Sequence, residues 1–140
     1  MTDVIDEIDI DATAERVWSI LADAAGYAKW NPEIKSIEGS FSQGAMLTLH
    51  RDSAPEKSTV EVAEFDAPRT LKMRSSGGMP SKLLQAERTF VLSPLSETSV
   101  RVSQRLVFTG FMAKLALNGI PDQKPIIESV GRALKRVAER

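Results

Sequence analysis

The sequence predicts an α+β domain in which one antiparallel sheet carries its helices on a single face. Three patterns lead there. Polar–apolar alternation of period two opens the chain and recurs through residues 34–109. A helical period follows the first strand and returns in the C-terminal part, in FMAKLAL and then, after the NGIPDQKP interruption, in KPIIESVGRALKRVAER. Between the alternating runs lie turn-rich connectors: Gly39 to Gly44, DSAPEK, DAPR, SSGGMPS and SPLSET.

In the opening VIDEIDID, Val4, Ile8 and Ile10 alternate with Ile5, Glu7 and Asp9, and Asp6 interrupts the apolar set. That is a strand with one buried face. DATAERVWSILADA then changes period: Thr13 is placed to cap a helix, and Val17, Trp18, Leu21 and Ala25 share its apolar side. Gly26 is expected to end this helix. GYAKWNP holds the only Tyr and one of the two Trp in the chain, and it predicts a second short turn stopped by Pro32. Tyr27 and Trp30, three apart, fall on one side of that turn and are expected to plug one end of the sheet.

About six strands are expected from Ile34 to Thr109. RTLKMRS sets Leu71, Met73 and Ser75 against Thr70, Lys72 and Arg74. TSVRVSQRLVF sets Val100, Val102, Gln104, Leu106 and Phe108 against Ser99, Arg101, Ser103, Arg105 and Val107. One apolar and one solvated face suits an antiparallel sheet covered on one side. The cover must be KPIIESVGRALKRVAER, whose Ile127, Val130, Leu134 and Val137 form one stripe. Pro125 is tolerable only in its first turn, so the long C-terminal helix is expected to be kinked or split near 119–125.

Composition removes several chemistries. Over 140 residues, 42% hydrophobic and 26% charged, the chain is expected to fold as one domain, 1–140. A net charge of −1 gives no electrostatic reason to expect nucleic acid or an anionic membrane as partner. Apolar runs fall short of a bilayer span, and the acidic N-terminus is unlike a signal peptide, so no stable membrane insertion and a cytoplasmic location are expected. There is no cysteine, hence no disulfide, thiol nucleophile or thiolate metal site. The lone His50 cannot build a multi-histidine metal centre, and no cofactor is implied. Oligomeric state is left open.

TAERVWSILADAAGYAKWNPEIKSIE, through Glu15, Val17, Trp18, Asp23, Tyr27, Trp30, Asn31 and Pro32, resembles the N-terminal signature of the polyketide cyclase/dehydrase family of the START-like (SRPBCC) superfamily. Gly44, VAEFDAPRTL (62–71) and LKRVAER (134–140) extend the resemblance along the chain. The resemblance implies a helix-grip fold: a curved seven-stranded antiparallel sheet, two short helices and a long C-terminal helix. It also implies a cavity between sheet and helix for a hydrophobic ligand. It does not single out a reaction, since lipid binders, cyclases and dehydratases share the fold.

In LLQAERTFVL, Leu84, Ala86, Phe90 and Leu92 share a face with Arg88. Counting back from the SPLSE turn sets Phe90 near Val102 and Arg88 near Gln104. A charge on an apolar face needs a partner, and Glu64 or Asp6 is the expected one. Arg88 with Gln104 then reads either as a polar spot that orients a ligand or as part of a structural ion pair. The candidate ligand contacts are Trp30, Met73, Arg88, Phe90, Gln104, Leu106, Phe108 and Met112. Met46 and Met79 are further candidates for an adaptable lining. His50 is placed opposite Leu47 and Leu49 and reads as a half-exposed strand residue. SSGGMPS is a possible gate at the cavity mouth, and GFMAKLALNGIP a possible lid or membrane-touching edge.

No serine lies in a nucleophile elbow, and no catalytic residue is assigned. Three functions are consistent with these residues. The first is a binder of a lipid, polyketide or isoprenoid-like molecule. The second is a cyclase or dehydratase using the same cavity, and the third is a protein-interaction module without a ligand.

Overall fold

A computed structural model describes residues 2–51, 57–76, 85–110 and 123–140. The elements run β1 (Thr2–Ile10), α1 (Ala14–Leu21), a 3-10 turn (Ala24–Gly26), α2 (Tyr27–Trp30), β2 (Ile34–Glu38), β3 (Met46–Arg51), β4 (Ser58–Asp66), β5 (Thr70–Ser76), β6 (Gln85–Ser96), β7 (Ser99–Thr109) and α3 (Lys124–Ala138). The strands form one curved seven-stranded sheet, order β1-β7-β6-β5-β4-β3-β2, with every neighbouring pair antiparallel. Strands β2 to β7 pair in chain order, and β1 closes the sheet against β7.

Period two decides the burial. Val100, Val102 and Gln104 of β7 are buried, while Arg101 and Arg105 between and beyond them are exposed. Leu47 and Leu49, Val60 and Val62, Leu71 and Met73, and Phe90 and Leu92 continue this inner face across the sheet. Ile127, Val130 and Leu134 of α3 are buried too, as their stripe predicts. The helix comes close to the sheet at Gly131, where a Cβ would lie 3.0 Å from Gln104 Nε2 and 3.2 Å from Asp6 Oδ2. A larger residue there would push the helix off the sheet, because Gln104 is fixed at both ends of its amide (below).

Thr13 caps α1 as expected, its Oγ1 accepting from the Arg16 amide at 3.1 Å. The helix stops at Leu21, five residues before Gly26, and a 3-10 turn intervenes; Ala24 is therefore buried and Ala25 exposed. Arg16 reaches the end of α3, donating through Nε to Ala138 O at 2.7 Å. A cation there meets the negative end of the helix dipole and ties α1 to α3. Along the edge strand, Lys124 Nζ donates to Ile5 O, Lys135 Nζ to Asp9 O at 2.8 Å, and Asp11 N to Glu139 Oε2 at 2.8 Å. These side chains from the C-terminal segment satisfy backbone groups that an unprotected edge would offer to another chain. Pro125 lies in the first turn of α3, as predicted. The predicted kink or split falls mainly at 119–122, outside the described residues.

Tyr27 is buried, with its ring 5.0 Å from Trp30 and 5.7 Å from Phe41. Its hydroxyl donates to Leu21 O at 2.5 Å, and burial pushes its pKa well above the ordinary value of 10.0. The aromatic pair therefore acts as packing at the sheet end, with Tyr27 the inner member and Trp30 half-exposed. Asn31 Oδ1 accepts from both the Glu33 and Ile34 amides, at 2.8 and 2.9 Å. That side-chain turn, followed by Pro32, sets the angle at which the chain enters β2.

Register irregularities interrupt the simple alternation between Ile34 and Ser36, between Val62 and Glu64 and between Pro94 and Ser96. The β4–β5 register slips between Val62 and Glu64. Phe65 thereby turns toward the core, its ring 5.3 Å from Trp18, and Glu64 leaves the inner face. The β6–β7 connection is a two-residue turn at Glu97–Thr98, not the longer SPLSE segment. Both strands are correspondingly longer, and Phe90 pairs with Gln104, Leu92 with Val102 and Arg88 with Leu106. The expected pairing was two residues out.

Candidate functional site

A cavity of about 200 Å³ opens on the inner face of the sheet. Its apolar walls come from Ile34 on β2, Leu49 on β3, Val60 on β4 and Met73 on β5. Ala86 on β6 and Leu106 and Phe108 on β7 complete them, and Gln123 stands at the approach to α3. Each strand from β2 to β7 contributes because alternate residues of all six face the same way.

The polar corner is built by Glu33, Arg51 and Arg88. Arg88 Nη1 forms an ion pair with Glu33 Oε1, and their side chains are only 11% and 12% exposed. Arg88 Nη2 donates to Gln104 Oε1 at 2.9 Å, and the guanidinium carbon lies 5.3 Å over the Phe90 ring. Gln104 Nε2 donates in turn to Ile127 O at 3.0 Å. One buried amide thus joins the arginine to α3, which satisfies both of its polar ends. Arg51 is held more loosely: its Nε lies 3.7 Å from Glu33 Oε2, with 27% of the side chain exposed. Two guanidinium groups therefore share one carboxylate in a mainly apolar space, whose other polar lining residues are Ser75 and Gln123.

Several sequence candidates meet here. Met73, Arg88, Leu106 and Phe108 line the cavity. Phe90 and Gln104 are buried beside it and touch Arg88. Trp30 does not join them: it lines a separate, more open groove of about 380 Å³ with Ile20, Lys29 and Arg140. Met112 and Met79, the SSGGMPS gate from Gly77 onward and nearly all of the GFMAKLALNGIP lid lie outside the described residues. Met46 is 52% exposed on the outer face, which removes it from the lining. His50 also faces away from the leucines, with Nε2 3.5 Å from Glu38 Oε2.

The partner of Arg88 is the main correction. Glu64 is turned away by the register slip in β4, where it pairs with Lys72 of β5. Asp6 lies opposite Gln104 on β1 and against Gly131, where it borders the amide rather than Arg88. Glu33 takes the role instead. Nothing in the local pattern marks it, since Ile34 next to it faces the core and simple alternation would send Glu33 outward. Arg51 was within reach, because extending the Leu47–Leu49 alternation by two residues places it on the cavity side.

Sheet, α3 and the cavity define a helix-grip domain of START-like type. A family model described as polyketide cyclase/dehydrase and lipid transport matches residues 1–140, and the chain belongs to that family. Solved structures of the same fold include the Aha1 dimer from Colwellia psychrerythraea, 17% identical over 99% of this chain and 97% of that one, TM-score 0.77. The Zhui aromatase/cyclase from a Streptomyces species is 20% identical over 99% and 94% of the two chains, TM-score 0.73. A START superfamily protein from Mycobacterium smegmatis is 21% identical over 98% and 97%, TM-score 0.69. At these identities the likeness shows the fold alone. No curated protein matches the chain in sequence. Among the described residues, no helix is long and apolar enough to cross a membrane.

Proposed function

We propose that this chain binds a small hydrophobic molecule, of lipid, polyketide or isoprenoid character, in the cavity on the inner face of the sheet. The carrying observation is an apolar lining drawn from six strands with one polar corner, the usual composition of a small-molecule site. About 200 Å³ is less than the roughly 300–1,000 Å³ of a site for a drug-sized ligand, which favours a short acyl chain or a compact ring system. The family description, which includes lipid transport, agrees with this reading.

Native mass spectrometry of the protein purified from its own host should show a copurifying apolar compound. Ala86→Phe, which places a ring in the cavity, should remove that mass while the far-ultraviolet circular dichroism stays unchanged. A bare protein mass, with no uptake of added apolar compounds, would sink the proposal.

A cyclase or dehydratase acting in the same cavity is the second reading. Its support is the convergence of a carboxylate and two guanidinium groups on one apolar space, together with the fold shared with the Zhui aromatase/cyclase. The interaction-module reading would use the helix edge or the GIPDQKP break (119–125) as contact surface, and residues 119–122 of that break lie outside the described residues.

A further inference from the structure

We infer that the cavity selects apolar molecules bearing a single carboxylate, and that Arg51 is the residue that makes the selection. This rests on the reading of the cavity as a ligand site and adds the chemical class of the ligand. The charged groups among its described lining are Glu33, Arg51 and Arg88, which sum to one positive charge. The two arginines are not equivalent. Arg88 spends Nη1 on Glu33, Nη2 on Gln104 and its flat face on Phe90; its Nε has no partner among the described residues but is buried, and the side chain is nearly closed off from water. Arg51 only approaches the second oxygen of Glu33, at 3.7 Å, beyond hydrogen-bond length. Its planar set of donors stands at the wall of an apolar space, where a charge is costly unless it is matched.

A carboxylate matches that geometry. It presents two oxygens to a guanidinium fork, and one negative charge cancels the single surplus positive charge. An alcohol of the same skeleton would leave the surplus charge in place, and a dianionic phosphate would overshoot it. The apolar walls then take the remainder of the molecule. Glu33 has its own part in the selection: by occupying Arg88, it leaves Arg51 as the group open to the ligand.

Isothermal titration of the full chain with two matched pairs, octanoate against octanol and phenylpropanoate against phenylpropanol, tests this. The acids should bind wild type about tenfold or more tightly than the alcohols, as expected for a charge-assisted hydrogen bond in a partly dry site. Arg51→Met should bring each acid down to the affinity of its alcohol, and Arg51→Lys should keep part of the preference. Equal binding of acids and alcohols to wild type would overturn the inference and leave the cavity reading intact. So would an acid preference that survives Arg51→Met. Failure of all four compounds to bind wild type would count against the cavity reading itself, and the inference would fall with it.

Discussion

Arg88 and Arg101 stand on neighbouring strands, β6 and β7, and each meets a carboxylate distant in sequence, Glu33 and Asp9. Arg88 and Glu33 are 11% and 12% exposed; Arg101 and Asp9 are 46% and 54% exposed, with Nε and Oδ1 2.8 Å apart. On the outer face water solvates both partners whether or not they pair, so little depends on the contact. The outer pair is also one of several, with Arg105 and Asp3 repeating it along β1 and β7. In the cavity both charges have lost most of their hydration, and Gln104 and Phe90 add a hydrogen bond and a ring face to Arg88, whose buried Nε has no partner among the described residues. The same two functional groups thus form a solvated ladder on one side of the sheet and a fixed framework on the other. Burial, not residue type, makes the difference.

Arg88→Met is the largest challenge to that comparison. It strands Glu33 in a mostly dry site with only the looser Arg51, so the unfolding free energy in urea should fall by about 3 kcal/mol. A loss below about 1 kcal/mol would place the inner pair with the outer ones. Arg51→Met should cost less than about 1 kcal/mol, since that arginine is more exposed and makes only the 3.7 Å contact. A cost as large as that of Arg88→Met would mean that the two arginines form one structural unit, contrary to the division of labour drawn above.

The smallest effect belongs to Asp9→Asn, which should lower the urea midpoint at pH 7 only slightly, because the pair is exposed. That small loss should disappear at low pH, where wild type has lost the same contribution. The Arg101 hydrogen bond holds the Asp9 carboxyl below its ordinary 3.8. The Asp11 amide, with Lys135, holds Glu139 below 4.5. Each carboxyl is thus more acidic folded than unfolded, so its contribution is present above the ordinary value and lost as pH falls through the lowered one. Carboxyl titration by NMR should find both midpoints below those ordinary values, and Asp9→Asn should flatten part of the acid limb of the stability curve. An Asp9 midpoint at or above 3.8 would contradict the pairing.

Much of the inner face was legible in the residues themselves. Val100, Val102 and Gln104 alternate with Ser99, Arg101 and Ser103 because a strand turns successive side chains to opposite faces. The α3 stripe followed from the same logic at a different period, and Thr13 announced its helix through a hydroxyl next to an orphan amide. Met73, Arg88, Leu106 and Phe108 reached the cavity on parity alone. Parity failed where the chain is irregular. The slip after Val62 removed Glu64 from the inner face, and the tight turn at Glu97–Thr98 together with the irregularity between Pro94 and Ser96 moved the β6–β7 pairing by two residues.

The sequence by itself determined the alternating faces, the order of elements, the capped first helix and an arginine committed to an apolar surface. These are local properties, encoded within a few residues by backbone geometry and side-chain polarity. Only the tertiary structure decided which carboxylate that arginine meets. Glu33 lies 55 residues from Arg88 and is delivered by the Asn31 side-chain turn and the curl of the sheet that brings the start of β2 across to β6. The position of a partner so distant in the chain depends on the sum of every turn and register between them, and no short window of residues contains that sum.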